Sequence, residues 1–160
     1  MKYQLYTDGS ALGQDSKFKT LDPVIGGYAW ALYNDTEMVS YGSGSEENTT
    51  NNRMEMLAVI SGLRAFYSAH KDEEYELTIY TDSQYVKDCW NEYLPEWKRN
   101  GWRKKKGTIA NLDLWKILDK SSSFVKFDIR WVKAHDVDER NNFVDGLAGD
   151  AAVNKSGYIK

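Results

Sequence analysis

LTIYTDS, residues 77–83, is a short apolar run that ends in an acid and a serine. A continuous apolar run of this length is typical of a strand that is covered on both faces. We therefore expect a strand from Leu77 to Thr81 in the centre of a sheet, with Asp82 at its end. In open sheets flanked by helices, chemistry gathers at the strand ends. The stretch thus indicates both a fold class and the place of a site.

Before this stretch, the sequence predicts three antiparallel strands and one helix. Two apolar runs, YAWALY and MVSYG, are separated by a short polar turn, as expected of a hairpin. Met56, Ile60 and Leu63 then recur at helical spacing. The predicted elements are strands at 2–7, 28–33 and 38–42, turns at 8–10 and 34–36, and a helix at about 53–69.

After this stretch, the sequence predicts three helices and one more strand. Val125, Phe127, Ile129 and Trp131 alternate with charged residues, as in a strand with one solvated face. Asn111 is of the residue type that caps helix N-termini. The predicted elements are helices at 83–92, 111–120 and about 141–153, and a strand at 125–131. This order is an α/β pattern in which a mixed sheet carries helices on its faces.

Length and composition limit the class of protein. With 160 residues, 41% of them hydrophobic, the chain is expected to form a single domain, 1–160. The net charge of −3 disfavours an anionic partner if charge is evenly spread. Cys89 is the only cysteine, so an internal disulfide is excluded. With no signal-peptide pattern and no stretch of about 20 apolar residues, we expect a cytoplasmic monomer without a membrane partner.

Four acids stand at predicted element boundaries. Asp8 and Asp82 end strands, whereas Glu55 and Asp145 begin helices. If the two strands are neighbours, the four side chains can converge, and such a cluster is unfavourable unless cations neutralise it. Mg²⁺ prefers oxygen ligands, and two ions about 3.5–4 Å apart can stabilise both the entering and leaving oxygens of a phosphoryl displacement. The cluster therefore predicts phosphodiester hydrolysis.

Each acid also has a purely structural explanation. Asp8 precedes a glycine, as in common turns, and Asp82 can cap a helix. Glu55 can form a capping-box-like pair with Asn52, and Asp145 can be a solvated helix residue. Taken one at a time, these positions do not decide between ligands and caps.

A basic segment, which we call the handle, covers about residues 93–110. Six positive charges fall within nine residues, interleaved with Trp97 and Trp102 and preceded by Tyr93. Cations neutralise phosphates and aromatic faces pack on sugars or bases, which favours nucleic-acid binding. The alternative is an aromatic core with a solvated basic loop. The six cations are Lys98, Arg99, Arg103, Lys104, Lys105 and Lys106.

Six segments follow the order and approximate spacing of one known family. They are YTDGSALG (6–13), TTNNRMEMLAVISGL (49–63), IYTDSQYV (79–86), WKRNGWRKKKG (97–107), NLDLWKIL (111–118) and WVKAH…NNFVDGLA (131–148). Together they cover nearly the whole chain and resemble cellular type 1 ribonuclease H. The resemblance implies an α/β, ribonuclease H-like fold with a mixed five-stranded sheet, three antiparallel strands then two parallel, and helices on both faces.

The resemblance also implies an activity and a partner. It implies an endonuclease that hydrolyses the RNA strand of RNA–DNA hybrids by two-metal-ion catalysis, leaving 5′-phosphate and 3′-hydroxyl ends. The implied cofactor is Mg²⁺, as two ions, with Mn²⁺ as a substitute. Asp8, Glu55, Asp82 and Asp145 match the metal-binding carboxylates, with Asp8 bridging the ions. His135 matches a loop histidine that assists proton transfer or product departure, and its alternative is an ordinary surface position.

Other matching positions are implied to bind substrate. Asn141 and Gln84 match positions beside the metal site, and Thr50 and Asn111 match partners on a DNA phosphate, although helix capping can hold at the same time. Phosphate contacts do not report sequence, so cleavage is expected to be largely sequence-independent. The substrate-binding set is Gly9, Ser10, Thr50, Asn51, Asn52, Gln84, Tyr85, Tyr93, Trp97, Trp102, Asn111 and Asn141, together with the six handle cations.

Three departures from the family pattern concern substrate binding. A polar insertion from Gln14 through Pro23 replaces a compact loop, Asn48 stands where many relatives place arginine, and Tyr93 stands where many have tryptophan. We expect the affinity for the DNA strand to be reduced or redistributed. The family's N-terminal hybrid-binding domain is not recognised in this sequence, so processivity on long hybrids is not implied.

The sequence leaves two alternative functions to be tested. A DNA-cutting relative on the same fold, such as an integrase or resolvase, is disfavoured by the handle and the TNN run. A noncatalytic hybrid-binding module is disfavoured because all four acids are present. Primer removal and R-loop clearance are equally compatible with the expected activity.

Overall fold

The computed structural model describes residues 1–12, 24–104, 106–133 and 139–156. The predicted insertion from Gln14 to Pro23 lies outside the described residues. In chain order, the described elements are β1 (Lys2–Leu12), β2 (Ile25–Asn34), β3 (Glu37–Glu47), α1 (Asn51–His70), β4 (Glu76–Thr81), α2 (Gln84–Asp88), a π-helical turn (Cys89–Tyr93), α3 (Leu94–Arg99), α4 (Leu112–Ser121), β5 (Asp128–Trp131) and α5 (Glu139–Ser156). No helix within these ranges is long and apolar enough to cross a membrane.

The five strands form one sheet in the order β3-β2-β1-β4-β5. β2 pairs antiparallel with β1 and β3, whereas β4 pairs parallel with β1 and β5. The predicted mixed sheet, three antiparallel strands followed by two parallel ones, is therefore confirmed. The apolar run from Leu77 to Thr81 lies in β4, an interior strand, although the middle strand of the five is β1.

Alternating residues of β1 face two different helix layers, because successive side chains of a strand point to opposite sides. Leu5 belongs to a core cluster with Met56 and Ile60 of α1. Tyr6 belongs to a second cluster with Val144 and Ala148 of α5. Burying side chains of this size contributes about 1.5–3 kcal/mol each. Helices thus cover both faces of the sheet, as predicted.

β1 continues through the residues that the sequence predicts as a turn. Asp8 pairs with Ala29, and the pairing with β2 extends to Leu12. The predicted turn at 8–10 is therefore wrong, because a long ladder of strand pairs outweighs the local turn preference of an Asp-Gly dipeptide. Gly9 serves a different purpose, since a Cβ at this position would overlap the backbone of α1.

A threonine side chain caps the start of α1. The Thr50 hydroxyl accepts a hydrogen bond of 3.2 Å from the backbone N–H of Arg53. The predicted pair of Asn52 and Glu55 does not cap this helix, because the helix begins at Asn51, two residues earlier than the predicted start at about 53.

The second helical region is longer than predicted. Ser83, not Asp82, caps it by accepting a hydrogen bond of 3.1 Å from the N–H of Val86. The region was expected to end at Glu92, but the π-helical turn passes directly into α3, which ends at Arg99. Part of the handle is therefore helical.

Two predicted boundaries near α4 and β5 also differ from the structure. Asn111 precedes α4 in a left-handed conformation, with φ of 58°, and its side chain makes no capping hydrogen bond. β5 begins at Asp128 rather than residue 125, because its parallel pairing with β4 begins opposite Thr78. Val125 is nevertheless buried in the main core.

Candidate active site

Two of the four acids come from neighbouring strands. Asp8 lies within β1, well before its end, and Asp82 directly follows β4. Thr7 and Thr81 are partners in the parallel register, so the residues that follow them lie side by side. The prediction that Asp8 ends its strand is wrong, but the predicted neighbourhood of the two aspartates is confirmed.

The other two acids come from helices on opposite faces of the sheet. Glu55 lies in the second turn of α1 and accepts a hydrogen bond from the backbone N–H of Gly9. Asp145 lies in the second turn of α5, near enough to Asp8 for its charge to raise the pKa of that carboxyl. Neither acid begins its helix as predicted, because both helices start earlier than the sequence pattern indicates.

The acids form a compact cluster. One carboxylate oxygen from each of Asp8, Glu55 and Asp82 lies within 4.8 Å of the other two. Asp8 and Glu55 are buried, Asp82 is half-buried and Asp145 is exposed. The cluster is therefore closed by the sheet and α1 on one side and accessible from the side of Asp82 and Asp145.

The electrostatics of the cluster favour a bound cation. The pKa of Asp8 is raised to about 8, mainly by burial; hydrogen bonding to Glu55 opposes the rise, and the charges of Asp82 and Asp145 add to it. Burial and the charge of Asp8 raise the pKa of Glu55 well above its usual value. Asp8 therefore retains a proton near neutral pH unless a cation replaces it. An all-oxygen ligand set with one accessible side fits a hard divalent ion.

Several predicted substrate positions lie beside this cluster. Gly9 and Ser10 continue β1 after Asp8. Gln84 begins α2 and is exposed. Asn141 is buried in α5, one turn before Asp145. Their contacts with substrate stay predictions.

The TNN run lies at the start of α1, where its residues have different partners. The Asn51 Oδ1 accepts a hydrogen bond of 2.7 Å from the N–H of Ala11, which joins α1 to β1. Thr50 forms the cap described above, so the capping explanation is confirmed for this residue. Asn52 is exposed. Binding of a phosphate by these residues stays a prediction.

Arg53 is a residue that the sequence reasoning missed. Its guanidinium donates to both carboxylate oxygens of Asp113, at 3.0 and 3.1 Å, and to the Asn111 Oδ1 at 3.5 Å. It also lies 3.6 Å from a carboxylate oxygen of Glu46. The sequence could have pointed to Arg53, because it is the only charged residue between the TNN run and Glu55.

Tyr85 lies at a junction of hydrogen bonds next to this arginine. Its hydroxyl accepts from the Asn111 Nδ2 at 3.0 Å and from the Trp115 Nε1 at 3.2 Å. The same hydroxyl donates to the carbonyl of Ala110 at 3.5 Å. A direct contact between Tyr85 and a DNA strand stays a prediction.

The handle extends from α3 into the loop before α4. Lys98 and Arg99 lie in the last turn of α3, and the Nζ of Lys98 is 2.9 Å from a carboxylate oxygen of Asp119. Arg103, Lys104 and Lys106 are exposed. Lys105 lies outside the described residues, as does His135. The predicted roles of both stay predictions.

The aromatic residues of the handle divide into two groups. Trp97 and Trp102 are half-buried and pack against the main core. Tyr93 is 49% exposed, and its ring stacks on that of Trp97 with centroids 6.2 Å apart. The alternative of an aromatic core therefore holds for the two tryptophans, which anchor the handle, whereas Tyr93 remains accessible to a partner.

Comparison with known proteins gives a consistent assignment. The RNase H family model matches residues 1–153. A ribonuclease H of Legionella pneumophila (strain Lens) is 41% identical over 150 residues, which cover 92% of this chain and 94% of that protein.

Solved structures share the fold. LC9-RNase H1, a type 1 RNase H with the type 2 active-site motif, is 30% identical with a TM-score of 0.80, covering 96% of this chain and 72% of that one. LC11-RNase H1, solved in complex with RNA/DNA hybrid, has a TM-score of 0.71 over 96% of this chain and 99% of that one, and its 18% identity supports the fold alone. With the family model matching almost from end to end, this chain belongs to the RNase H family.

Proposed function

We propose that this chain is a ribonuclease H, an endonuclease that hydrolyses the RNA strand of RNA–DNA hybrids. The observation that carries the proposal is the convergence of the Asp8, Glu55 and Asp82 oxygens within 4.8 Å, with Asp145 near enough for its charge to act on Asp8. Family membership supports the reaction class. The chain, 1–160, would act as one cytoplasmic, monomeric catalytic domain.

The four carboxylates would hold two Mg²⁺ ions, with Mn²⁺ as a substitute. Asp8 would be the central residue of this set, because hydrogen bonding to Glu55 and the charges of Asp82 and Asp145 all act on its carboxyl. When bound, the ions would stabilise the charge on the entering and leaving oxygens of an in-line displacement. The Gly9 N–H holds the Glu55 carboxylate in place for this purpose.

The reaction we propose transfers a phosphoryl group to water. A water oxygen forms a bond to the phosphorus of the RNA strand, and the bond from phosphorus to the 3′-oxygen breaks. The leaving 3′-oxygen takes a proton and becomes a hydroxyl, while the other product retains a 5′-phosphate. We assign His135 to proton transfer or product departure, because it matches the family's histidine at this point and imidazole is the side chain suited to moving protons at neutral pH.

The substrate would be held mainly through its backbones. Exposed Arg103, Lys104 and Lys106 of the handle can neutralise DNA phosphates, and exposed Tyr93 can pack on a sugar or base. Thr50 and Asn111 offer a second set of polar groups at the start of α1 and α4. Because such contacts do not distinguish bases, we expect cleavage largely independent of sequence.

One experiment tests the proposal and its alternatives together. Hybrids with labelled RNA, and matched DNA duplexes, are incubated with the protein and Mg²⁺, with and without EDTA. We expect Mg²⁺-dependent cleavage of the RNA strand in the hybrid alone, and products with 5′-phosphate ends. Cleavage of the DNA duplex would instead favour an integrase- or resolvase-like enzyme, and binding of the hybrid without cleavage would favour a noncatalytic module.

A further inference from the structure

Arg53, Asn111 and Tyr85 form a network whose hydrogen bonds can run in only one direction. A guanidinium has donors but no acceptor, so the carboxamide of Asn111 must present its Oδ1 to Arg53. The Nδ2 of Asn111 then faces Tyr85, as its 3.0 Å hydrogen bond to the hydroxyl requires. The chemistry of the partners therefore fixes the orientation of the Asn111 amide.

The hydroxyl of Tyr85 is fully used by this network. The indole N–H of Trp115 can only donate, so the hydroxyl accepts from both Trp115 and Asn111 and gives its own proton to the carbonyl of Ala110. Trp115 is completely buried, which holds the junction on the core. The hydroxyl has no further donor capacity for a phosphate, and its effect on a ligand must pass through Asn111.

Asn111 has one amide N–H that the network with Arg53 and Tyr85 does not use. An amide carries two N–H bonds, and Asn111 uses one of them on Tyr85. The second makes no hydrogen bond within the described part of the chain. The side chain does not cap α4, and Asn111 adopts the left-handed conformation that sets its carboxamide between Arg53 and Tyr85. The amide is thus held by two partners while it retains one N–H for a ligand.

We propose that Tyr85 is a positioning residue that orients Asn111, so that the remaining amide N–H donates to a phosphate oxygen of the DNA strand. This inference rests on the proposed function, in which Asn111 contacts a DNA phosphate. It assigns the Tyr85 hydroxyl an indirect role, distinct from stacking of its ring on the substrate. Arg53 supports the same orientation from the other end of the amide.

Four variants test the inference by steady-state cleavage of a labelled hybrid. Tyr85→Phe removes the hydroxyl and Asn111→Ala removes its target, and both are combined in a double variant. Tyr75→Phe is the matched control. Tyr75 is also half-buried, and its hydroxyl accepts a hydrogen bond from the N–H of Lys126 at 3.2 Å, but it belongs to a different part of the fold. Thermal unfolding of each variant reports any general loss of stability.

We expect Tyr85→Phe to raise KM about fivefold, the effect of one hydrogen bond of ordinary strength, and to change kcat much less. The double variant should have the same KM as Asn111→Ala, because Tyr85 acts only through Asn111. Tyr75→Phe should leave KM at the wild-type value. If the effects of Tyr85→Phe and Asn111→Ala multiply instead, Tyr85 acts on substrate independently and the inference is wrong.

A chemical variant of the substrate provides the second readout. Hybrids are prepared with a single neutral methylphosphonate at each successive position of the DNA strand. With the wild-type protein, we expect the neutral linkage to raise KM at the positions held by the handle and at one further position, the phosphate that Asn111 contacts. The penalty at that further position should shrink in Tyr85→Phe and vanish in Asn111→Ala. An unchanged penalty in Tyr85→Phe would overturn the inference, whereas absence of cleavage by the wild-type protein would overturn the proposed function itself.

Discussion

The backbone N–H of Gly9 donates a hydrogen bond to the carboxylate of Glu55, which joins the middle strand of the sheet to α1 immediately beside Asp8. The close approach is possible because Gly9 has no Cβ, and a Cβ there would overlap the backbone of Met54 and Glu55. One residue thus sets both the spacing of strand and helix and the position of one carboxylate relative to another.

Gly9→Ala should therefore damage stability and activity together. Moving α1 away from β1 is an overpacking effect, and we expect a loss of about 2–3 kcal/mol in the free energy of unfolding. We also expect a large fall in kcat, because Glu55 shifts with the helix. The control is Gly149→Ala in α5, where a Cβ would meet nothing within 4 Å. That variant should be stabilised by about 0.5–1 kcal/mol and retain full activity.

Asp8→Asn should separate activity from stability. Cleavage should fall by roughly a thousandfold or more, because a carboxylate proposed to hold the metal ions is lost, while binding of the hybrid remains measurable. Near neutral pH, metal-free folding requires Asp8 to take up a proton that the unfolded chain has released, so its replacement by the neutral Asn should make the metal-free protein more stable, by about 1–2 kcal/mol. Asp150→Asn, a change of an exposed acid on α5, is the matched control for both measurements. Retained turnover in Asp8→Asn would contradict its assignment.

The same site predicts how metal-free stability depends on pH. The pKa of Asp8 is raised from 3.8 to about 8, so the folded protein binds a proton that the unfolded chain releases between these values. The contribution of this group is therefore present below about pH 4 and is lost as pH rises toward about 8. In EDTA, melting temperatures measured across this interval should fall more steeply for the wild type than for Asp8→Asn. Parallel curves would show that Asp8 does not carry the effect.

Thr50 combines a structural and a proposed substrate role, and two substitutions distinguish them. Thr50→Ala removes the cap of α1 and should lower stability by about 1 kcal/mol. Thr50→Asp keeps an efficient cap, favoured by the helix dipole, but places a negative charge where a phosphate is proposed to bind. We expect Thr50→Asp to have near wild-type stability and a KM raised about tenfold or more. A normal KM would leave Thr50 as a cap alone.

The handle should control the salt dependence of hybrid binding. Replacing Lys104, Lys105 and Lys106 by Ala removes up to three phosphate contacts and should flatten the plot of log affinity against log salt by roughly one unit of slope per contact. The fold should be unaffected, because Lys104 and Lys106 are exposed. Titrations of a catalytically inactive Asp8→Asn background with labelled hybrid provide the measurement. An unchanged slope would remove the handle from the binding surface.

The sequence predicted the order of strands and helices well, because burial patterns of β4, α1 and α5 are local and periodic. It misplaced details that depend on distant partners. Asp8 and Gly9 have the composition of a turn, yet pairing with β2 keeps them in a strand. Glu55 has the spacing of a capping residue, yet its partner is Gly9. In each case a tertiary contact overrides a local preference.

In the candidate site, too, local motifs were predicted from the sequence, whereas contacts between distant residues were not. The four acids were recognisable as a set because the family motifs preserve their order, whereas their actual separation depends on the parallel register of β1 and β4. Arg53 was missed because its partner, Asp113, lies in α4, far along the chain. No periodic pattern in a sequence indicates which exposed acid an arginine will meet.

Glu55 and Asp145 approach Asp8 from helices on opposite faces of the sheet, so a cation held by the four acids would link the two helix layers. Such a link would oppose the partial opening in which α5 detaches while the rest of the molecule stays folded. Backbone amides of α5 should then exchange with deuterated solvent more slowly as Mg²⁺ is added. The ion that serves the reaction would in this way also suppress the native-state fluctuations of the last helix.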